Sequence, residues 1–394
     1  IVVKGKEHQT EINRETDILE SYNGKLIFAP GNIQFSSKDL LNKQFFAEAA
    51  AFLKKPENYM LKHKINLDKI QACIGGFSDM NVLVIGDTIL DEYIHCSPLG
   101  MSQEDPTIVV SPIKSNFFLG GAGIVASHIS RLGANAKLMS VVGSDMEGEM
   151  VANFLKKYNV EPYIFTDHDR PTNKKQRYKV EDKTMLRVNL LKSHDIDKTA
   201  ITYFLKQFNK LQDSIDMIIF SDFNYGCLPQ NLVDHISTTC IKQKIPFFAD
   251  SQSSSQSGDV SRFKNATMMC ATEREARMAL SDHKSGLQNL INNLIEKAKT
   301  KNLVVKLGSD GLIASSAGTN YYTDSLPALN INPIDVAGAG DALLAAVSLS
   351  FCKSLNLWES LFVGSVAAGI QVSRSGNVPI SSNELVDNLI GNFR

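Results

Sequence analysis

Tryptophan and cysteine are scarce in this chain of 394 residues, with one Trp and six Cys. The cysteines stand apart at 73, 96, 227, 240, 270 and 352, and no Cys-x-x-Cys pair occurs. That spacing excludes a zinc ribbon or a dithiol centre and predicts buried, reduced thiols in a cytoplasmic protein. Charge of one sign is also lacking: 41 Lys and Arg face 42 Asp and Glu, for a net charge of −1. No electrostatic excess calls for nucleic acid or an anionic membrane surface, and neither is expected as a partner. No apolar run approaches the span of a bilayer. What remains is ordinary for a globular protein, 43% hydrophobic and 21% charged. The length suits a large core plus an accessory unit.

Residues 330–351, NINPIDVAGAGDALLAAVSLSF, carry the strongest local pattern. A polar approach ends in Asp335 and small residues follow. Leu343, Leu344, Val347 and Phe351 then recur at helical spacing. Small residues before a helix let the backbone come close to a ligand. The free N–H groups of the first turn, helped by the helix dipole, hold an anion there. Gly338, Ala339 and Gly340 would form that corner, and Asp341 sits in the same turn. A carboxylate beside a bound anion makes sense as a base that takes a proton from a hydroxyl while the amides hold charge moving on a phosphate. A tight turn with Asp341 as a plain first-turn charge accounts for the same string.

Upstream, near-continuous apolar runs end in polar tips. Residues 81–86 precede Asp87, 217–220 precede Asp222, 246–249 precede Asp250, 268–271 precede Thr272, and 302–305 precede Lys306. Strands buried on both faces read this way. Helical segments separate them, so the expectation is an α/β fold with a mainly parallel sheet between helices. Ligands of such sheets collect at the strand carboxyl ends. β-rich inserts near 91–118 and 163–190 predict a small lid. Lys175, Arg177 and Arg187 alternate along the second insert, either converging on an anion or forming a solvated strand face. Thr272 and Glu275 fit a helix capping box. The polar run 251–258, SQSSSQSG, is a loop over a ligand or a solvated connection.

Residues 335–341 resemble the C-terminal signature of the ribokinase-like (PfkB) family of sugar kinases, and the likeness covers roughly residues 80–394. It implies a ribokinase-like fold and ATP-dependent phosphorylation of a sugar hydroxyl. Asp341 would be the general base, and Gly338, Ala339 and Gly340 the anion hole. Asp87, Asp91 and the Gly120, Gly121 pair would hold the sugar. Residues 272–275, Thr-Glu-Arg-Glu, are similar to the family's Asn-x-x-Glu and imply that Glu275 positions water on Mg2+. Lys306, Gly308, Gly311 and the small residues around Ala367 would line ATP. Asp335 would serve a monovalent cation such as K+. The second insert lies where related heptose-phosphate kinases hold the phosphate already on the substrate, a role implied for Lys175, Arg177 and Arg187. The subgroup it resembles is the heptose 7-phosphate kinase of bacterial ADP-heptose synthesis, whose product is the 1,7-bisphosphate. Lid strands imply a homodimer. The chain departs from the pattern at Ile124 and Thr272, where the family has Asn, and at 223–226, where its Lys is missing. Those departures leave open a non-catalytic sugar- or nucleotide-binding module, and a nucleoside or other sugar kinase of the same fold.

Residues 3–41 resemble the last part of a cytidylyltransferase-like nucleotidyltransferase domain, with a Val-Lys-Gly strand and a loop at Ser36 and Ser37. The His-x-x-His or His-x-Gly-His loop of such enzymes is not in the chain, so transferase activity is not expected of it. Residues 1–72 are expected to be a remnant of that domain plus a helical linker through 45–55 and 65–77, broken at Pro56. A helical extension packed on the kinase is the alternative. Gly75 and Gly76 mark the hinge, and 79–394 the kinase domain. Residue 1 is Ile rather than Met, which fits a piece of something longer.

Overall fold

The computed structural model describes residues 2–5, 19, 26–29, 51–181, 183–253, 258–316 and 322–394. It divides into two compact units, Ile1–Ala50 and Ala51–Arg394. In the first, β1 (Val2–Gly5) and β2 (Leu26–Ala29) pair in parallel, β1 at the expected Val-Lys-Gly strand. Ser36, Ser37 and the expected helix over 45–50 lie outside the described residues.

The second unit begins earlier than expected, because residues 51–72 belong to it rather than to the N-terminal piece. Residues 51–55 are not helical. Leu53 instead bridges Asn330, and the Lys54 N–H donates to the Leu329 carbonyl at 2.8 Å. Pro56 caps α1 (Glu57–Lys62) and disfavours helical geometry in the residue before it. Asn66 then caps α2 (Leu67–Gly75), accepting from the Lys69 N–H at 3.0 Å.

The chain continues through β3 (Asn81–Gly86), β4 (Thr88–Met101), β5 (Ile108–Gly121) and α3 (Ala122–Arg131). Next come β6 (Asn135–Gly143), α4 (Met146–Lys157), β7 (Glu161–Asp167), β8 (Lys174–Val180) and β9 (Lys183–Leu190). They lead to α5 (Lys198–Leu211), β10 (Met217–Asp222), α6 (Gln230–Gln243), β11 (Phe247–Ser251) and β12 (Met268–Thr272). Then follow α7 (Glu273–Leu280), α8 (Leu287–Ala298), β13 (Asn302–Lys306), β14 (Leu312–Ser316) and β15 (Tyr322–Leu326). The last elements are α9 (Ala339–Lys353), α10 (Leu357–Gln371) and α11 (Ser382–Phe393).

Nine strands form the main sheet in the order β15-β14-β13-β12-β11-β10-β3-β6-β7. It is parallel from β13 to β7, with β14 and β15 added antiparallel at one edge. The apolar runs follow from this burial. On β10, Met217 and Ile219 enter one core while Ile218 and Phe220 enter the other, and β3 divides its side chains the same way. Alternate side chains point to opposite faces, so a strand covered on both sides has no polar position to show. Helices α3, α9 and α10 cover one face; α5, α6 and α8 cover the other.

A second sheet of four strands, β5-β4-β8-β9, stands apart as the lid. The lid is smaller than its sequence insert. Residues 163–167 belong to β7 in the main sheet, with Tyr163 and Phe165 against one core and Ile164 against the other. All six cysteines are free, five of them buried. Among the described residues no helix is long and apolar enough to cross a membrane.

Ile219 is fully buried at the centre of the sheet. We expect Ile219→Ala to cost ~2–5 kcal/mol of stability. Urea unfolding should show a lower midpoint with an unchanged slope, since the exposed surface hardly changes.

Candidate active site

The strand order around β3 fixes where a ligand can sit. β3 has β6 on one side and β10 on the other, and the chain departs from it in both directions. Outside the carboxyl ends at such a point a crevice opens. Here it is a cavity of about 850 Å³ between the main sheet and the lid.

One wall is the start of α9. Gly338 is its N-cap, with φ +76°, and a Cβ there would come within 2.3 Å of Asn377 Oδ1. The first N–H in the helical ladder belongs to Ala342, which donates to the Gly338 carbonyl at 2.9 Å. The N–H groups of Ala339, Gly340 and Asp341 therefore have no partner within the helix. All three residues line the cavity. Gly340 lets Lys306 approach: its Cβ would lie 3.3 Å from Lys306 Nζ.

Asp341 is 6% exposed and faces the same space. Gln252 Nε2 lies 3.5 Å from its Oδ1. Burial, followed by the charge of Asp250, pushes its carboxyl up to about 7, against the pull of Lys306. Asp250 and Lys306 form an ion pair of 2.6 Å at the ends of β11 and β13. Burial pushes Asp250 up to about 6 despite Lys306. Burial opposes the Lys306 charge, but Asp250 and Glu275 hold its ammonium above the usual range.

Glu275 serves a local purpose while facing the cavity. Its Oε2 accepts from the Thr272 N–H at 2.7 Å, and the Thr272 hydroxyl accepts from the Glu275 N–H at 3.3 Å, completing the capping box of α7. Its Oε1 accepts from the Ser253 N–H at 3.1 Å. Thr272, Glu275, Gly308 and Gly311 all line the cavity beside Lys306.

The lid supplies the opposite wall. Asp91 on β4 lies 3.8 Å from an Arg177 guanidinium nitrogen and accepts from Asn377 Nδ2 at 3.3 Å. Burial pushes its carboxyl up against that cation. Gly120 is side-chain-free because its Cβ would meet Asp91 Oδ2 at 2.6 Å. Lys175, Arg177 and Arg187 all line the cavity, Lys175 and Arg177 half-buried and Arg187 exposed. Arg177 faces Arg187 across the β8–β9 pair. Lys175 Nζ sits 4.9 Å from the Phe223 ring centre, and Arg177 5.5 Å from that of Tyr93. Two like charges opposite one another are destabilising without an anion between them.

Two sequence expectations, Asp87 and Ala367, need correction. Asp87 does not reach the cavity. It is 1% exposed, and its carboxylate accepts from the N–H groups of Phe223, Tyr225 and Cys227 at 2.9, 3.2 and 3.1 Å. It fixes the turn after β10 instead. Ala367 faces the core, whereas Ser365, Ala368, Gly369 and Val372 line the cavity. That is the i, i+3, i+4, i+7 stripe of a helix, of which position 367 is no part. Asp335 is also outside the lining. It accepts from the Tyr93 hydroxyl at 2.8 Å, the Gly376 N–H at 3.1 Å and the Ala337 N–H at 3.1 Å, and so pins the loop before α9. Ile124 is fully buried in the core. The stretch 254–257 lies outside the described residues. Gln252, Asp250 and Asn377 were not singled out as site residues. The strand end at Asp250 was visible, whereas Asn377 belongs to no motif and meets Asp91 only through the fold.

Sheet, lid and helix corner together are those of the ATP-dependent carbohydrate kinases with a ribokinase-like fold. The family model described as pfkB family carbohydrate kinase matches residues 80–383, and the chain belongs to that family. It is 28% identical over 308 residues to the "Bifunctional protein HldE" of Sulfurimonas denitrificans, a match taking in 77% of this chain and 63% of that protein. The chain thus spans less than two thirds of that relative's length. Phosphofructokinase-2 from Escherichia coli in complex with potassium superposes with a TM-score of 0.65 at 16% identity, over 79% of this chain and 99% of that one. Arabidopsis thaliana ribokinase complexed with ribose and ATP gives 0.62 at 15% identity, over 79% and 98%.

Burial of Asp341 makes stability depend on pH. Its carboxyl is raised to about 7 from an ordinary value of 3.8. A raised acid contributes most to stability below its unfolded value and loses that contribution as pH rises through the folded one. Asp341→Asn, neutral throughout, should therefore gain thermal stability over wild type as pH goes from 5 to 8. A gain that shrinks over that range would contradict the assignment.

Proposed function

We propose that this chain transfers the γ-phosphoryl group of ATP to a hydroxyl of a sugar that already carries a phosphate, with heptose 7-phosphate going to the 1,7-bisphosphate. The carrying observation is that Lys175, Arg177 and Arg187 face the cavity that also holds Asp341 and the α9 amides. Transfer from ATP needs one anion site at the helix corner; a second cluster of cations on the lid suits a second phosphate. The match to a bifunctional HldE protein supports the same substrate class.

In this reading ATP lies between the 306–311 turn and the Ser365–Gly369 face of α10, its phosphates at the α9 amides. The sugar lies under the lid against Asp91 and the Gly120, Gly121 backbone. Asp341 accepts the proton of the attacking hydroxyl. With its pKa near 7, it is a stronger base than an exposed carboxylate while still ionised in good part at neutral pH. The amides of Ala339 and Gly340 hold the charge that develops, so positioning and electrostatics supply the rate.

Mg2+ fits beside this site. Asp250 Oδ1 is buried without a partner, and Glu275 reaches the same cavity wall as Lys306. A hydrated ion held there would neutralise phosphate charge. K+ at Asp335 fits less well, because three donors already occupy that carboxylate. The lid also exposes Ile108, Val109 and Ile113 on β5 and Leu186 and Leu190 on β9, surface that a second copy of the chain would cover in a homodimer. Residues 1–45 are read as resembling the end of a nucleotidyltransferase-like domain, with β1 and β2 paired in parallel within it.

Two measurements test the proposal. Asp341→Asn should lower phosphoryl transfer by a factor of about 10²–10⁴ while ATP binding stays nearly unchanged; wild-type turnover in that variant would refute the base assignment. A panel of sugars with and without a phosphate should show turnover only with the phosphorylated members. Arg187→Ala should raise their KM about 10- to 100-fold, as expected for a lost charge-assisted contact. Equal KM values for sugar and sugar phosphate would point to another sugar kinase of this fold.

A further inference from the structure

One end of the cavity is backed by chain that the family model does not include. Leu329, Asn330, Ala368 and Gly369 line that end. Behind them sits Leu53, 3% exposed, well ahead of the matched residues 80–383. Gly369 has no side chain, and a Cβ on it would lie 2.7 Å from Leu53 Cδ2 and 3.8 Å from Asn330 Cβ. Leu53 thus occupies the space a side chain on Gly369 would need. It is joined to the other half of the wall as well. Leu53 and Asn330 form an antiparallel bridge, the Lys54 N–H donates to the Leu329 carbonyl at 2.8 Å, and Asn330 Nδ2 donates to the Gly369 carbonyl at 2.9 Å.

We infer that Leu53 is a positioning residue that sets the width of the nucleobase end of the cavity by spacing the 329–330 segment from α10. The inference rests on the reading that ATP lies along α10.

The segment carrying Leu53 is held firmly. Its N–H donates to Asn392 Oδ1 at 3.1 Å, another residue beyond the family match. Six residues on, the Tyr59 hydroxyl donates to the Trp358 carbonyl at 2.8 Å. The His63 ring stacks on Trp358 with centroids 4.8 Å apart, and its Nε2 lies 2.6 Å from Asp324 Oδ2. Close-packed walls have little slack, so a lost or added methyl group behind a slot changes the slot. A flat base gains most of its binding from contact on both faces, and loses it when one wall recedes. Nucleotide affinity in this chain therefore depends on residues outside the kinase core, while the reacting atoms at Asp341 do not.

The test is steady-state kinetics and calorimetric ATP binding on full-length variants. Leu53→Ala should raise KM and Kd for ATP about tenfold, equivalent to ~1.4 kcal/mol, with kcat and the sugar-phosphate KM within about twofold of wild type. Leu53→Met, close in volume, should restore ATP affinity. Gly369→Ala should weaken ATP binding by itself and weaken it less when Leu53 is already Ala, because the new methyl group then has room. Unchanged ATP affinity in Leu53→Ala, or strictly additive effects of the two substitutions, would overturn the inference. Should Leu53→Ala not fold, Leu53→Met and Gly369→Ala decide it: a drop for Gly369→Ala alone supports the wall, and no drop overturns it. A wild-type chain that binds ATP without transferring phosphate would sink the functional reading and leave the binding comparison to judge the wall.

Discussion

A buried carboxylate beside the unpaired amides of a helix start is the constraint on which this structure turns. Asp341 and the N–H groups of Ala339 and Gly340 share one turn of α9. Alone, the amides would favour a carboxylate in its charged form. Burial and the neighbouring Asp250 push the other way and raise Asp341 to about 7. Lys306 keeps the balance from going further, since it pairs with Asp250 and lies close behind Gly340. The result is a group poised to hold or release a proton near neutral pH. Such an arrangement costs stability, and the surrounding sheet has to hold it in place.

The sheet does so through its edge. Each strand from β3 to β13 delivers a polar residue at its carboxyl end, and the two cores behind the sheet leave those residues nowhere else to go. Some of them never touch the cavity. Asp87 accepts from the turn that follows β10, and Asp222 accepts from the Asn224 N–H of that turn and from the Ser251 hydroxyl at the end of β11, also pairing with Arg262 at 2.9 Å. They fix the loops on which the cavity floor rests. On the lid, Lys175 lies over the Phe223 ring and Arg177 over that of Tyr93.

Much of this was legible from residue patterns, and the failures share a cause. Apolar runs with polar tips gave away the parallel sheet, because a strand covered on both faces has one possible composition. The Gly338–Gly340 corner was legible because positive φ and close approach leave few alternatives. Side-chain direction was not. Asp87 and Asp335 sit next to motifs, yet Asp87 turns toward backbone donors, and Asp335 toward the Tyr93 hydroxyl and the Gly376 N–H, that only the fold brings near. Ala367 lies one position off the stripe that faces the cavity. The lid looked longer than it is because β7, edge strand of the main sheet, is as β-rich as the lid strands. Residues 51–55 resembled a helix until Pro56 and the pairing with Asn330 drew them out straight. Asn377 carried no signal at all.

A structure of the chain with a non-hydrolysable ATP analogue and a sugar phosphate tests the central claim most directly. The account predicts the terminal phosphate on the amides of Ala339 and Gly340, and a sugar hydroxyl within about 3.2 Å of the Asp341 carboxylate. An Asp341 still turned toward Gln252 with the terminal phosphate bound elsewhere would contradict it.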